Sequence, residues 1–338
     1  MRRLVVGVLV VAGCGAHGLA PTGDGSGSGS NGGDGPAMDG DASTADAAWS
    51  WSPAISDDWS LGPAAGSARA SIACVSVPIT QEMWIDGFRL GSDNSDDDDH
   101  QLLLVSPSPV ENGLCTVQPL PSNNELIYAA GLGTNSELAL PAGTAVHVTP
   151  AMGYLVLYDH LVNATTSAIT GTTTIEIHQV ADSSTVAHDV DMVLGGQGTL
   201  AISPTNQTQT GPCHPTETAG YQWHVIGLWP HMHDSGTHAT VSVGGTPILD
   251  TDYSYLDEHW YAVPESQQLV DTGAELDVTC TMAKVTTTLG YNEIQSESQG
   301  YTVCWTGIYK WPTGTDPSTA QGVPYGPEVC VDGIASTH

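Results

Sequence analysis

Apolar residues at helical spacing are scarce along the whole chain, and this constrains the fold more than any other feature. In their place stand short runs rich in Val, Thr, Ile and Tyr, separated by Gly, Pro, Asn and Ser. Ala145-Val-His-Val-Thr, Gly153-Tyr-Leu-Val-Leu-Tyr, Thr173-Thr-Ile-Glu-Ile-His, Ala239-Thr-Val-Ser-Val and Glu275-Leu-Asp-Val-Thr-Cys all have the composition and length of β-strands. The expectation is an all-β chain. About 290 residues follow position 48, large for one core and comfortable for two.

The first 48 residues are of a different kind. Arg2 and Arg3 precede a short apolar run, Leu4 to Gly13, too short to cross a membrane as a helix. The run ends Val11-Ala12-Gly13-Cys14, small residues before a cysteine, which resembles the lipobox of bacterial lipoproteins. That implies a signal peptide over 1–13, cleavage before Cys14 and a lipid on its sulfur; an ordinary signal peptide with an incidental cysteine is the alternative. Residues 14–48 are mostly Gly, Ser, Ala and Asp and cannot bury enough apolar surface to offset their ordering entropy, so they read as a flexible tether. The expected location is a membrane-anchored lipoprotein in the periplasm or on the surface of a bacterium, with the lipid as its one membrane contact.

Lys and Arg total 6 against 37 Asp and Glu. Removing Arg2 and Arg3 with the signal leaves 4 basic against 37 acidic residues, a net charge of −33. Nucleic acid is excluded as a partner on that balance. Of 7 cysteines, six remain after Cys14: Cys74, Cys115, Cys213, Cys280, Cys304 and Cys330. An even number in an exported chain argues for disulfides, with the connectivity open. None has the CxxC spacing of a thiolate zinc site.

His231-Met232-His233 is the leading candidate for chemistry. Residues i and i+2 of a strand share a face, which sets the two imidazoles roughly 7 Å apart at the backbone. Imidazole suits copper and zinc, and Val225, Ile226, Leu228 and Trp229 would form a low-dielectric wall beside them. Two ordinary polar strand residues fit the same pattern.

The run from His231 through Cys280 and on to Tyr301-Thr-Val-Cys-Trp-Thr-Gly-Ile-Tyr-Lys-Trp-Pro resembles the C-terminal domain of the type II copper, ascorbate-dependent monooxygenases, the family of dopamine β-monooxygenase and peptidylglycine α-hydroxylating monooxygenase. Leu140-Pro-Ala-Gly-Thr, Gly153 to Asn163 and Asp99-His100-Gln-Leu-Leu-Leu resemble its N-terminal domain, so the likeness covers roughly residues 70–335. It implies two jelly-roll-like antiparallel β-sandwiches, over 69–187 and 188–335, each carrying one copper across a solvent-filled cleft. It also implies ascorbate as reductant and the hydroxylation of a small organic substrate by O2. The site ligands it implies are His231 and His233 in the second domain, with Asp99, His100 and His160 in the first. The pairings it implies are Cys74–Cys115, Cys280–Cys304 and Cys213–Cys330.

The chain departs from that pattern in three places. The family's methionine ligand precedes a cysteine; here Val303 precedes Cys304. One histidine of an adjacent pair is replaced by Asp99, whose oxygen favours harder ions than Cu(I). Trp229 stands where the peptide-hydroxylating branch has an arginine, so a peptide carboxylate is not expected as ligand. Met282, Met152 and His259 are candidate substitute ligands, read first as core filler or strand-end polar residues. His224 lies an odd number of residues before His231, and in an unbroken strand it would face the other way. The acidic run Asp93 to Asp99 reads as a solvated loop. Two functions remain: a copper monooxygenase, or a catalytically inactive lipid-anchored relative that binds copper or another ligand.

Overall fold

The computed structural model describes residues 50–63, 69–91, 98–115, 124–131, 137–163, 165–201, 207–213, 222–233, 235–271, 274–283, 301–311 and 329–332. The leader 1–13, Cys14 and the tether 14–48 lie outside the described residues, as does most of the acidic run. The side chains of Asp99, Cys115, Cys213 and Cys330 lie outside them too.

Eleven strands come first: β1 (Ser52–Leu61), β2 (Arg69–Pro78), β3 (Met83–Leu90), β4 (Asp98–Ser106), β5 (Gly113–Cys115), β6 (Glu125–Ala130), β7 (Leu138–Ala139), β8 (Thr144–Val148), β9 (Tyr154–Asn163), β10 (Ile169–Gln179) and β11 (His188–Asp189). They form one sheet in the order β1-β10-β3-β8-β11 and another in the order β5-β2-β9-β4-β6. Setting aside the short β5, β7 and β11, the chain winds between two four-stranded antiparallel sheets, β1-β10-β3-β8 over β2-β9-β4-β6. That alternation is the jelly-roll path.

The second set repeats it: β12 (Asp191–Ala201), β13 (Gln207–Cys213), β14 (Trp223–His231), β15 (Gly236–Val243), β16 (Thr246–Asp252), β17 (Tyr261–Ala262), β18 (Leu269–Val270), β19 (Leu276–Met282), β20 (Tyr301–Trp311) and β21 (Val329–Asp332). The orders are β17-β14-β20-β12-β21 and β13-β19-β15-β16, with β18 also pairing β14. The expected all-β chain of two jelly-roll-like antiparallel sandwiches is what the topology shows. Both rolls belong to one unit, residues 48–338. Strand β1 adds residues N-terminal to the expected start at 69. Among the described residues no helix is long and apolar enough to cross a membrane.

Period-two alternation explains most strands. In β19, Leu276, Val278, Cys280 and Met282 are buried, while Asp277, Thr279 and Thr281 are half-exposed. In β1, Ile55, Asp57, Trp59 and Leu61 point in, and Ser56, Asp58 and Ser60 point out. Strand β14 breaks the alternation because both its faces are covered. Val225 and Leu228 join Val193 and Ile308 in the core of the second roll. Ile226 and Trp229 join Met192 and Tyr309 in a core continuous with the first roll. The three-residue offset within each pair comes from a bulge between Val225 and Gly227 in the pairing with β20. The same bulge corrects the expectation for His224. Its register partner Trp311 and the partner of His231, Trp305, lie an even number apart on β20, so His224 and His231 share a face.

The rolls are also joined by hydrogen bonds: the Tyr309 hydroxyl donates to the Ile127 carbonyl, and the Trp260 indole donates to the Ala129 carbonyl at 3.1 Å. Gly307 leaves the space that Met192 and Trp260 fill, since a Cβ there would overlap the Met192 Cε and lie 3.3 Å from the Trp260 Cη2. Cys280 and Cys304 form the expected disulfide, with Cα atoms 5.7 Å apart, tying β19 of one sheet to β20 of the other. Cys74 is also disulfide-bonded; in the backbone Cys115 lies opposite Ile72 on β2.

Candidate functional site: a histidine cluster between the rolls

The first pair of imidazoles is set by strand register. Pairing of β4 with β9 slips between Asp98 and His100, leaving Asp99 as the bulged residue and His100 opposite His160. Bulges re-aim the neighbouring side chain. Here the two Nδ1 atoms stand 3.2 Å apart, with ring centroids 4.6 Å apart and the planes nearly perpendicular.

The second roll brings its own pair. His231 ends β14, and His233 follows two residues later. Their ring centroids are 5.9 Å apart, and His231 lies 5.0 Å from His100 of the first roll. Four imidazoles therefore follow one another as successive neighbours, His160–His100–His231–His233. His160, His231 and His233 are buried, and His100 is half-buried. This differs from the expected arrangement of two ligand sets facing each other across solvent: the rings of His100 and His231 are in contact, because the shared core carries β14 against the first roll.

Aromatic rings flank His231. Trp229 stacks on His231 at 5.1 Å and 9°, and Trp305 lies 5.8 Å from it. Val303, two residues from Trp305, is on the same face of β20 and buried, so the aliphatic group does stand on the face that carries His231.

A carboxylate that the sequence reading passed over completes the site. Glu258 is 3% exposed, and its Oε1 and Oε2 lie 3.0 and 3.3 Å from Nδ1 of His231. The Tyr253 hydroxyl donates to Glu258 and accepts the Met232 N–H at 3.0 Å. Glu258 lies in Asp257-Glu-His-Trp-Tyr, next to the candidate ligand His259. His259 instead bonds the Asp257 carbonyl at 3.2 Å and packs on Tyr261. Met282 is core, its sulfur taking the Gln207 amide at 3.5 Å. Met152 takes the Thr149 N–H on a short 3-10 turn. These contacts tie the three to partners other than the four histidines.

As a metal seat the cluster is incomplete in its described side chains. Two imidazole nitrogens on one ion at about 2.0–2.1 Å and a tetrahedral angle stand about 3.3 Å apart. The His100–His160 separation fits that edge, and it equally fits a hydrogen bond between two neutral rings. Among the described residues no group of three or more His, Cys, Asp or Glu stands ready to hold an ion. The donor type, imidazole, fits copper.

No family model matches this chain, and no curated protein matches it. Among solved structures it is similar to the major capsid protein P2 from bacteriophage PM2, at 6% identity and a TM-score of 0.30, over 77% of this chain and 99% of that one. A likeness that low carries no argument about function.

Proposed function

We propose that this protein binds copper at the four-histidine cluster and acts there as an ascorbate-dependent monooxygenase on a small organic substrate. The observation that carries the reading is the convergence of His100 and His160 from one roll with His231 and His233 from the other. Copper, when bound, would supply a one-electron redox couple. The chain's own contributions are distinct from that. His100 and His160 offer two nitrogens on one edge. Buried Trp229 and half-buried Trp305 keep water from His231, and the Trp305 ring offers no charged partner to a charged substrate. That favours a neutral substrate over a peptide carboxylate.

Val303 supports a second reading, a copper- or ligand-binding protein without catalysis, since a thioether that would favour Cu(I) is absent from that position. Copper titration of the wild type, His160→Ala and His231→Ala, followed by ascorbate-dependent oxygen uptake, separates the two. Copper binding with uptake supports the enzyme. Binding without uptake supports the second reading. No copper binding in the wild type overturns the enzyme and the copper-binding form of the second reading. We also propose that Cys14 anchors the chain by lipid to a bacterial membrane. Cys14→Ala should shift it from the membrane to the soluble fraction, and unchanged fractionation would rule the anchor out.

A further inference from the structure

We infer that Glu258 is the positioning residue of the cluster: it holds His231 in the tautomer protonated at Nδ1, so that Nε2 is the nitrogen His231 can offer a ligand. The role of the cluster as a metal seat is the reading just proposed; the tautomer is a property of the chain without metal.

Both carboxylate oxygens lie within 3.3 Å of the same ring nitrogen. Two carboxyl oxygens around one ring nitrogen, with the Tyr253 hydroxyl also donating to the same carboxyl, is the arrangement of an acceptor, so the proton sits on the ring nitrogen between them. In a neutral imidazole the other nitrogen then holds the lone pair. The pair is buried, with 2% and 1% of the two side chains exposed, so water does not compete for either group. A hydrocarbon would fill the same space without the desolvation cost of a carboxylate. An amide could turn either its donor or its acceptor toward the ring, and so would not choose between tautomers. A carboxylate does choose.

Two further contacts hold the carboxylate in place. Tyr253 grips it from the start of the segment 253–260 and is itself tied to the Met232 backbone between the two histidines of the pair. On its other side Glu258 lies over Gly131, just past β6 in the first roll, where any Cβ would overlap the Glu258 side chain. The far end of the segment is pinned to the same strand by the Trp260–Ala129 hydrogen bond. The segment 253–260 is thus a strap that leaves the second roll, reaches the first, and orients a histidine of the second. Carboxylates hydrogen-bonded to a ligand histidine in this way orient the ring and raise its basicity.

The test reads the tautomer in metal-free protein by two-bond 1H–15N correlation of the histidine rings, at a pH alkaline enough to keep them neutral. His231 should show a single form protonated at Nδ1 in the wild type. Glu258→Gln should lose that preference, and Gly131→Ala, whose added methyl would overlap the Glu258 side chain, should weaken it by displacing the carboxylate. Tyr253→Phe keeps the shape of the strap, and in it the preference should survive in reduced form. Copper competition on the same proteins should show affinity lower by about 10–100-fold in Glu258→Gln. An Nε2-protonated His231 in the wild type overturns the inference. So does an unchanged tautomer in both Glu258→Gln and Gly131→Ala; if Glu258→Gln does not fold, the Gly131→Ala and Tyr253→Phe results decide alone. If the tautomer behaves as stated and no protein binds copper, the metal reading fails and this inference stands.

Discussion

Val303 is the residue on which the proposed copper chemistry turns. It is buried on the face of β20 that carries Trp305, the register partner of His231. Val303→Met lengthens the side chain on that face and adds a soft sulfur. Overpacking should cost about 1–3 kcal/mol of stability. Cu(I) binding should nevertheless tighten in chelator competition, and oxygen uptake should rise if the site is otherwise competent. Unchanged Cu(I) affinity in Val303→Met, alongside loss of binding in His231→Ala, would mean that some other group already fills the third position. The neighbouring residue is equally specific: Cys304 points the other way, to its bond with Cys280 in the second core.

Elements make two predictions. The Cys280–Cys304 bond spans 24 residues and joins the two sheets of the second roll. Replacing both cysteines by Ala should lower stability by about 3–4 kcal/mol in the loop-entropy model, measured by urea unfolding. The other prediction lies where β6 meets β12 and β20. Glu125, the first residue of β6, is pushed up to about 8, first by burial and then by Asp191 and Asp189, with Lys310 pulling the other way. Lys310 is itself 1% exposed, 2.7 Å from Asp191, and lies over the Trp223 ring. A carboxyl raised on folding keeps a proton that the unfolded chain has released. Its favourable contribution is therefore complete below the unfolded value, 4.5, and is lost as pH rises through about 8. Glu125→Gln should flatten the stability profile between about pH 5 and about pH 8, by on the order of 1–3 kcal/mol. A profile with the same slope in the variant would show that Glu125 is ionised throughout.

At the scale of the molecule, the two rolls share a continuous core and should unfold together. Tyr309→Phe removes the hydroxyl that reaches Ile127 across the boundary and should lower stability by about 1–3 kcal/mol, leaving that carbonyl without this donor. Calorimetry should give one transition for wild type and variant alike; two resolved transitions would show the rolls to be independent. The acidic excess acts on the whole surface. It opposes self-association and lowers the affinity for any polyanion, in a way that salt reduces.

How much of this was legible in the chain depends on how far each interaction reaches along it. Alternation in β1 and β19, the all-β class and the His231–Met232–His233 pair are local patterns that neighbouring residues carry together. The Cys280–Cys304 pairing and the two-roll organisation were implied by the resemblance over roughly residues 70–335 and match the topology. The bulges at Asp99 and near Ile226 had no such mark, because register belongs to a pair of strands and not to either one. They decide that His100 faces His160 and that His224 shares the face of His231. Glu258 stands 27 residues from the ring it orients, and Gly131, which makes room for it, is farther still. The meeting of His100 with His231 likewise depends on two rolls packing through a strand buried on both faces. By itself the sequence determined which segments become strands and which residue types could bind a metal, because local periodicity and side-chain chemistry need no partner. The tertiary structure alone decided that those residues form one cluster under a buried carboxylate, because hydrogen bonds and ring contacts act over a few ångströms between groups far apart in the chain.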